Sequence, residues 1–291
     1  MGGIDQHFDL QVIGLTGEGE RSKMNLPWLS LAIILPLVGS LGIAFLPKGK
    51  TKGYKVAALA VSLLTLLLVV VIGTQVDFGQ SGVQLEEVLP WLPQYGVSYH
   101  LGVDGLSYPL VFLSALLTVL AVLASWEVNY RSKAYFSLLM LLEAGLIGVF
   151  LALDYILFYI FWEVVLVPMY FLIGIWGGPR KEYAALKFFI YTLFGSVIML
   201  VGILALYFAA GINSFNIIEL TQITYSSHLQ FWVFLAFFIG LAVKVPVFPF
   251  HTWLPDAHVE APTPISPMVS SEFYYRRYLM RPLVLPRSWL Y

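Results

Sequence analysis

The chain has 291 residues, of which 59% are hydrophobic and only 11% are charged, and its formal net charge at pH 7 is −1. Soluble domains carry about 25% charged residues, so this composition excludes an ordinary soluble domain. The net charge says nothing about a nucleic-acid partner, but the sequence has no basic stripe that could hold phosphates, so no such partner is expected. The absence of cysteine excludes disulfides, iron–sulfur ligation and thiol catalysis on this chain.

Apolar runs of about 20 residues, the length at which a helix crosses a hydrocarbon core, recur along the sequence. They predict an all-α, polytopic transmembrane protein that lies in the lipid bilayer. Residues 1–24 are expected to form a polar N-terminal extension, residues 25–126 three transmembrane helices, and residues 127–264 four more. The seven predicted spans are 27–47, 54–74, 105–126, 134–153, 155–176, 183–210 and 229–249.

Between the predicted spans, lysine and arginine are confined to alternate loops, and Arg21 and Lys23 before the first span are the only contrary charges. The segments "PKGKTKGYK" (47–55), "EVNYRSK" (127–133) and "GGPRKEY" (177–183) are basic, whereas 76–104 and 211–230 contain neither residue type. Because cytoplasmic loops collect lysine and arginine, this pattern predicts that the basic loops lie inside and the N-terminus outside. The alternation agrees with seven spans.

Two glutamates lie inside predicted spans. Glu143 occurs in "LLMLLEAGLIGVF" and Glu163 in "YIFWEVVLVPMY", each about ten residues from the turn near Leu153–Asp154. At 1.5 Å per residue both are about 15 Å deep, near the middle of a core roughly 30 Å thick, and a tight hairpin would place them at similar depth. Burial and a like-charged neighbour both disfavour the charged carboxylate, so we expect at least one to carry a proton at neutral pH.

A cation and a helix break coincide in "AVKVPVFPF". Lys244 lies about fifteen residues into the seventh predicted span, and Pro246 removes a backbone donor and clashes with the carbonyl of residue 242. Irregular backbone at membrane depth is tolerated only inside protein or beside a water-filled cavity. A lysine that pairs with a glutamate and then separates from it takes up and releases a proton, which makes Lys244 a third candidate for proton transfer.

Each of these residues also has a structural interpretation. For Glu143 and Glu163 the alternative is a hydrogen bond to a tyrosine such as Tyr159, and for Lys244 it is extension of the side chain to the interface. His251, His258 and Lys187 are further candidates for a proton path. For the histidines an interfacial role is the alternative, since their spacing fits no usual zinc motif, and Lys187 lies close enough to the end of its span to reach the interface.

Four sequence blocks identify a family. The blocks "LGVDGLS", "FWEVVLVPMYFLIGIWGG", "KFFIYT" and "AVKVPVFPFHTWLPDAHVEAPTP" occur in order between residues 101 and 264. Together they resemble the chain M (subunit 4) family of NADH:quinone oxidoreductase, respiratory complex I. By motif the resemblance assigns Glu163, Lys244 and Glu143 to proton transfer, and it implies that residues 127–264 form the first antiporter-like repeat, with a broken helix near 244–249.

The resemblance implies a proton-translocating membrane subunit that binds no cofactor itself. FMN, iron–sulfur clusters and quinone would be held by other subunits, and the other membrane-arm subunits would be its partners. The expected location is a bacterial inner membrane or a thylakoid membrane. Alternatives are a subunit of a multisubunit Na+/H+ antiporter or of a membrane hydrogenase, or a non-functional truncated fragment. This last alternative is raised by residues 265–291, which we expect to be a divergent tail unlike the family.

Overall fold

A computed structural model describes residues 26–47, 49–80 and 82–265. The predicted polar extension 1–24 and the predicted tail after residue 265 lie outside these described residues. The described part of the chain is mostly helical, and six of its helices are long and apolar enough to cross a membrane. These findings confirm the polytopic helical fold class.

The helices follow the predicted order. They are α1 (Trp28–Phe45), α2 (Thr51–Gly73), α3 (Tyr108–Ala124), α4 (Ser132–Leu151), α5 (Tyr155–Trp176), α6 (Lys181–Ala210), α7 (Ile217–Gln222), α8 (Ser227–Lys244) and α9 (Trp253–Glu260). The third predicted span is the shorter apolar helix α3, and the seventh ends at Lys244, five residues before the predicted boundary. The short helices α7 and α9 lie in stretches for which no helix was predicted.

A β-hairpin replaces part of the loop predicted between the second and third spans, so the chain is not helical throughout. Strands β1 (Gln84–Leu92) and β2 (Val97–Val103) pair antiparallel, with Val88 opposite His100. The turn between them ends at Gly96, whose φ of +70° favours glycine. A Cβ at this position would also collide with the backbone carbonyl of Asn213, so the turn packs directly on the segment before α7.

Helix α4 is the centre of the bundle. Of its most apolar 18-residue window, 72% is buried, against 28–50% for the other five candidate spans. It packs against α1, α2, α3 and α5, whereas α6 packs against α5, α8 and α9. An ionisable residue on α4 is therefore surrounded by protein rather than by lipid.

The hairpin fastens helix ends at one end of the bundle. Glu87 of β1 accepts hydrogen bonds from the N–H groups of Leu29 (2.7 Å) and Ser30 (3.0 Å), and thereby caps α1, whose own preceding residue is Pro27. Asp154 caps α5 by accepting from the N–H groups of Ile156 and Leu157, and it also accepts from that of Ser98 in β2. The loops that lack lysine and arginine thus gather at this end.

The basic loops gather at the opposite end. The start of α2, the start of α4 and the C-terminal part of α5 border one common cavity. The turn between α5 and α6 is joined to the end of α9, because the Gly178 N–H donates to the Glu260 carbonyl at 2.9 Å. The separation, read from the sequence, of basic loops from loops without lysine or arginine therefore matches the two ends of the bundle.

Candidate functional site

Glu143 is completely buried on α4, and neither of its carboxyl oxygens has a hydrogen-bond partner among the described residues. The alternative in which a tyrosine holds this carboxyl is therefore wrong for Glu143. A buried carboxylate without hydrogen-bond partners is energetically unfavourable. Such a group normally stays protonated and neutral until a cation or a proton acceptor approaches. These properties suit a group that accepts and releases a proton.

Glu163 is partly buried on α5, and its Oε1 is buried with no hydrogen-bond partner in the described part of the chain. Tyr159, one turn earlier, lies close enough to Glu163 to interact with it electrostatically, and also lies near Ser196 of α6. Glu163 therefore faces the region where α5 meets α6.

The two glutamates are offset along the membrane normal. Helices α4 and α5 touch at Gly145, where a Cβ would lie only 2.8 Å from Val165 Cγ2. In this antiparallel pair, Glu163 is level with residue 147 of α4, so Glu143 lies about four residues or roughly 6 Å away along the axis. The two glutamates, expected at similar depth, therefore differ in depth by about this amount. A proton passing from one acid to the other would need an intermediate group.

Lys244 is the last residue of α8, and only 3% of its surface is exposed. Its ammonium lies 4.7 Å from the centre of the Trp162 ring, a distance at which the face of an indole attracts a cation. The alternative of a side chain that reaches the interface is therefore wrong. Since Trp162 directly precedes Glu163, the cation is held beside the part of α5 that carries this acid.

Helix α8 stops at Lys244 because Pro246 cannot continue the hydrogen-bond ladder. The carbonyl groups of the last turn, which have no regular helical partner, accept hydrogen bonds in other ways. The N–H of Val245 donates to the Leu241 carbonyl at 2.7 Å, and that of Val247 donates to the Ala242 carbonyl at 2.9 Å. The Trp253 indole donates to the Val243 carbonyl at 2.7 Å. The end of the helix is thus a defined structure held by α9.

Lys187 pairs with α9 at the basic end of the bundle. Its ammonium donates to Asp256 Oδ2 at 2.7 Å, and Arg180 approaches Asp256 Oδ1 at 3.6 Å and Glu260 Oε1 at 3.6 Å. The hydrogen bond from Lys187 lowers the pKa of Asp256. Asp256 and Glu260 were not predicted from the sequence, although their i, i+4 spacing places them on one face of a helix.

The two histidines lie on different elements. His251 is in the 3₁₀ turn Phe250–Thr252, whereas His258 is in α9, so they do not share the face of one continuous helix. The Nδ1 of His251 is buried and has no hydrogen-bond partner among the residues that the structure describes, and its ring packs against Phe248 at 5.6 Å. Burial lowers the pKa of His258 from its ordinary 6.5. Both rings lie in the segment that follows Lys244.

Two family models match consecutive parts of the chain. Residues 31–149 match the amino terminus of NADH-ubiquinone oxidoreductase chain 4, and residues 152–273 match the transmembrane family of NADH:quinone oxidoreductase and Mrp antiporters. The second match includes Glu163, Lys244 and the helix end.

Curated relatives come from cyanobacteria. The chain is 45% identical to NAD(P)H-quinone oxidoreductase chain 4 1 of Synechococcus sp. (strain JA-3-3Ab). The alignment of 246 residues covers 84% of this chain and 46% of the relative. The chain is 42% identical to NAD(P)H-quinone oxidoreductase chain 4 of Gloeobacter violaceus, in an alignment of 239 residues that covers 82% of this chain and 45% of the relative. The chain thus spans somewhat less than half the length of these relatives.

Solved structures share the fold. A chain of respiratory complex I from Thermus thermophilus with bound NADH is 28% identical, with a TM-score of 0.75 over 88% of this chain and 53% of that chain. A chain of the Mrp complex from Dietzia sp. DQ12-45-1b has the same TM-score at 21% identity, over 87% of this chain and 27% of that one, which is a likeness of fold alone.

Proposed function

We propose, because the chain belongs to the NADH:quinone oxidoreductase chain 4 family, that it is a proton-translocating membrane subunit of such an oxidoreductase. The observation that carries this proposal is Lys244, a buried cation at the broken end of α8, held against Trp162 beside Glu163. In this role the chain couples quinone reduction on other subunits to proton transfer across the bilayer.

Each ionisable group has a part in the proposed transfer. Glu163 stabilises the charged form of Lys244 when its carboxylate faces the ammonium, and a shift of charge away from Glu163 lets Lys244 release its proton. Glu143 sits fully buried on α4, where an unpartnered carboxyl readily holds a proton. Lys187, His251 and His258 line the end from which protons would enter, with Lys187 and Asp256 the first charged pair of that route.

Redox chemistry takes place elsewhere in this proposal. FMN, iron–sulfur clusters and quinone are bound by other subunits, and the partners of this chain are the neighbouring membrane-arm subunits and the bilayer. The relatives' names, NAD(P)H-quinone oxidoreductase chain 4, favour this role over that of an Na+/H+ antiporter subunit. Their cyanobacterial sources make a thylakoid membrane as suitable a location as a plasma membrane.

The test removes one charge at a time in the assembled complex. Glu163→Gln and Lys244→Met keep the approximate shape of each side chain, and Glu182→Gln and Lys52→Met make the same changes at exposed positions. We expect Glu163→Gln and Lys244→Met each to reduce proton uptake by membrane vesicles roughly tenfold or more, because a positioned proton-transfer group contributes about 10²–10⁴ in rate. The exposed substitutions should leave proton uptake unchanged.

Proton uptake is measured by quenching of a pH-sensitive dye after NADH or NADPH is added, together with quinone reduction in the same vesicles. A complex that assembles normally and pumps at the wild-type rate with Glu163→Gln and Lys244→Met would refute the proposal. Assembly is checked by the amount of intact complex on a native gel.

A further inference from the structure

A groove of about 720 Å³ lies at the basic end of the bundle and plays no part in the proposed proton transfer. Its walls come from the end of α1, the start of α2, the start of α4 with its preceding loop, and the last turns of α5. The volume is within the range of about 300–1,000 Å³ that is usual for ligand sites.

The polar end of the groove is cationic. Arg131 and Lys133 line it, and none of the residues that line it is an aspartate or a glutamate. The Arg131 guanidinium lies 5.4 Å from the centre of the Tyr130 ring, and the amide of Asn129, another lining residue, accepts a hydrogen bond from the buried Lys55 ammonium at 2.9 Å. The charges at this end of the groove therefore attract an anion.

Two helix N-termini add to this attraction. Thr51 and Ser132 are the first residues of α2 and α4, both line the groove, and neither helix has a side-chain cap at its N-terminus. The free N–H groups and the positive end of the helix dipole are favourable sites for an anion. Here two of them accompany two cationic side chains.

The rest of the groove is apolar and open to the side. Leu138 of α4 and Phe171 and Ile175 of α5 line it, and 42% of the Phe171 surface is exposed. From Arg131 to Leu138 the groove extends seven residues along α4, which is about 10 Å from the helix end toward the middle of the bilayer. A molecule that fills the groove therefore has an anionic end at the interface and an apolar part at acyl-chain depth.

We propose that this groove binds an anionic phospholipid, with its phosphate between Arg131, Lys133 and the two helix N-termini. Basic pockets between helices on the cytoplasmic side of a membrane are suited to such headgroups. A free phosphate ion would use only the polar end and would leave the apolar walls without a role. Lipid binding is independent of the proton-transfer proposal, since no residue is shared.

The experiment uses the intact complex in detergent and a photoreactive phosphatidylglycerol. Peptide mapping by mass spectrometry measures how much label is attached to residues 131–138 and 171–175. We expect labelling at least fivefold stronger than with phosphatidylcholine of the same acyl chains. Lys133→Gln and Arg131→Asn should each reduce it at least threefold. Asn is chosen because Arg131 has a φ of +47°, which asparagine tolerates.

Two controls separate a specific site from general attraction. Arg180→Gln removes one positive charge from an exposed position at the same end of the bundle that does not line the groove, and it should leave labelling unchanged. Ala134→Phe retains both cations but fills the groove, and it should reduce labelling as strongly as Lys133→Gln. This substitution is made at an exposed position that lines the groove, so the fold is expected to tolerate it.

Several outcomes would overturn the proposal. Equal labelling by phosphatidylcholine would show that charge is not recognised, and full displacement by inorganic phosphate would show a free anion site. Cross-links from residues 131–138 to another polypeptide, without lipid labelling, would show that a protein partner covers the groove.

Discussion

The bond between Trp253 and the end of α8 gives a quantitative prediction. The Trp253 indole donates to the Val243 carbonyl at 2.7 Å, and each residue has only 1% of its surface exposed. In Trp253→Phe this carbonyl stays buried and loses its donor, which costs about 1–3 kcal/mol. Phenylalanine retains part of the ring contact with Phe188, which lies 5.3 Å away, but its smaller ring leaves a void that adds to this cost.

We therefore expect Trp253→Phe to destabilise the end of α8 by about 2 kcal/mol, which corresponds to roughly a 30-fold increase in its opening equilibrium. Hydrogen–deuterium exchange of the peptide that contains residues 241–247 measures this opening directly. The matched control is Trp232→Phe, the same change at a residue of α8 that is 54% exposed. Equal exchange rates in the two variants would show that the indole bond does not hold the helix end.

Two further predictions concern other parts of the molecule. Glu87→Gln should lower the free energy of unfolding by about 1–2 kcal/mol, because the carboxylate caps α1 through the N–H groups of Leu29 and Ser30. Denaturant titration measures this free energy, and Glu127→Gln at an exposed position is the control. A loss no larger than that of the control would contradict the capping role. His258 has its pKa lowered by burial, so its neutral form stabilises the fold above pH 6.5 and this stability is lost as the pH falls through the folded pKa. Wild type should therefore lose more stability than His258→Asn between pH 7.5 and 5, and parallel losses would refute the assignment.

The sequence predicted the helices well where a local signal existed. Asp154 was placed at the turn between two spans, and its carboxylate does cap α5 at Ile156 and Leu157. The hairpin was missed because its strand signal was weak: Pro90 and the turn residues near Gly96 interrupt the alternation of side chains. The alternation of loop charge was a second local signal, and it sorted the loops onto the two ends of the bundle correctly.

The site was predicted in its residues but not in its contacts. Glu143 and Glu163 were selected by their depth, which a helical rise fixes from the sequence, and Lys244 by the helix break at Pro246; the family resemblance assigned all three. The burial of Lys244 depends on Trp162 of another helix, and the pairing of Lys187 with Asp256 joins residues 69 positions apart. No local pattern encodes such contacts, because they form only when tertiary packing brings the helices together. Whether Glu163 and Lys244 exchange a proton remains a prediction.

The cap on α1 has a consequence for the order of assembly during synthesis. Glu87 lies 58 residues after Leu29, whose N–H group it satisfies, so α1 and α2 leave the ribosome before this cap exists. Similarly, the buried Lys55 donates to the carbonyl of Trp126, 71 residues later. The first two helices are therefore synthesised with polar groups at their ends whose protein partners come only with the hairpin and the segment after α3.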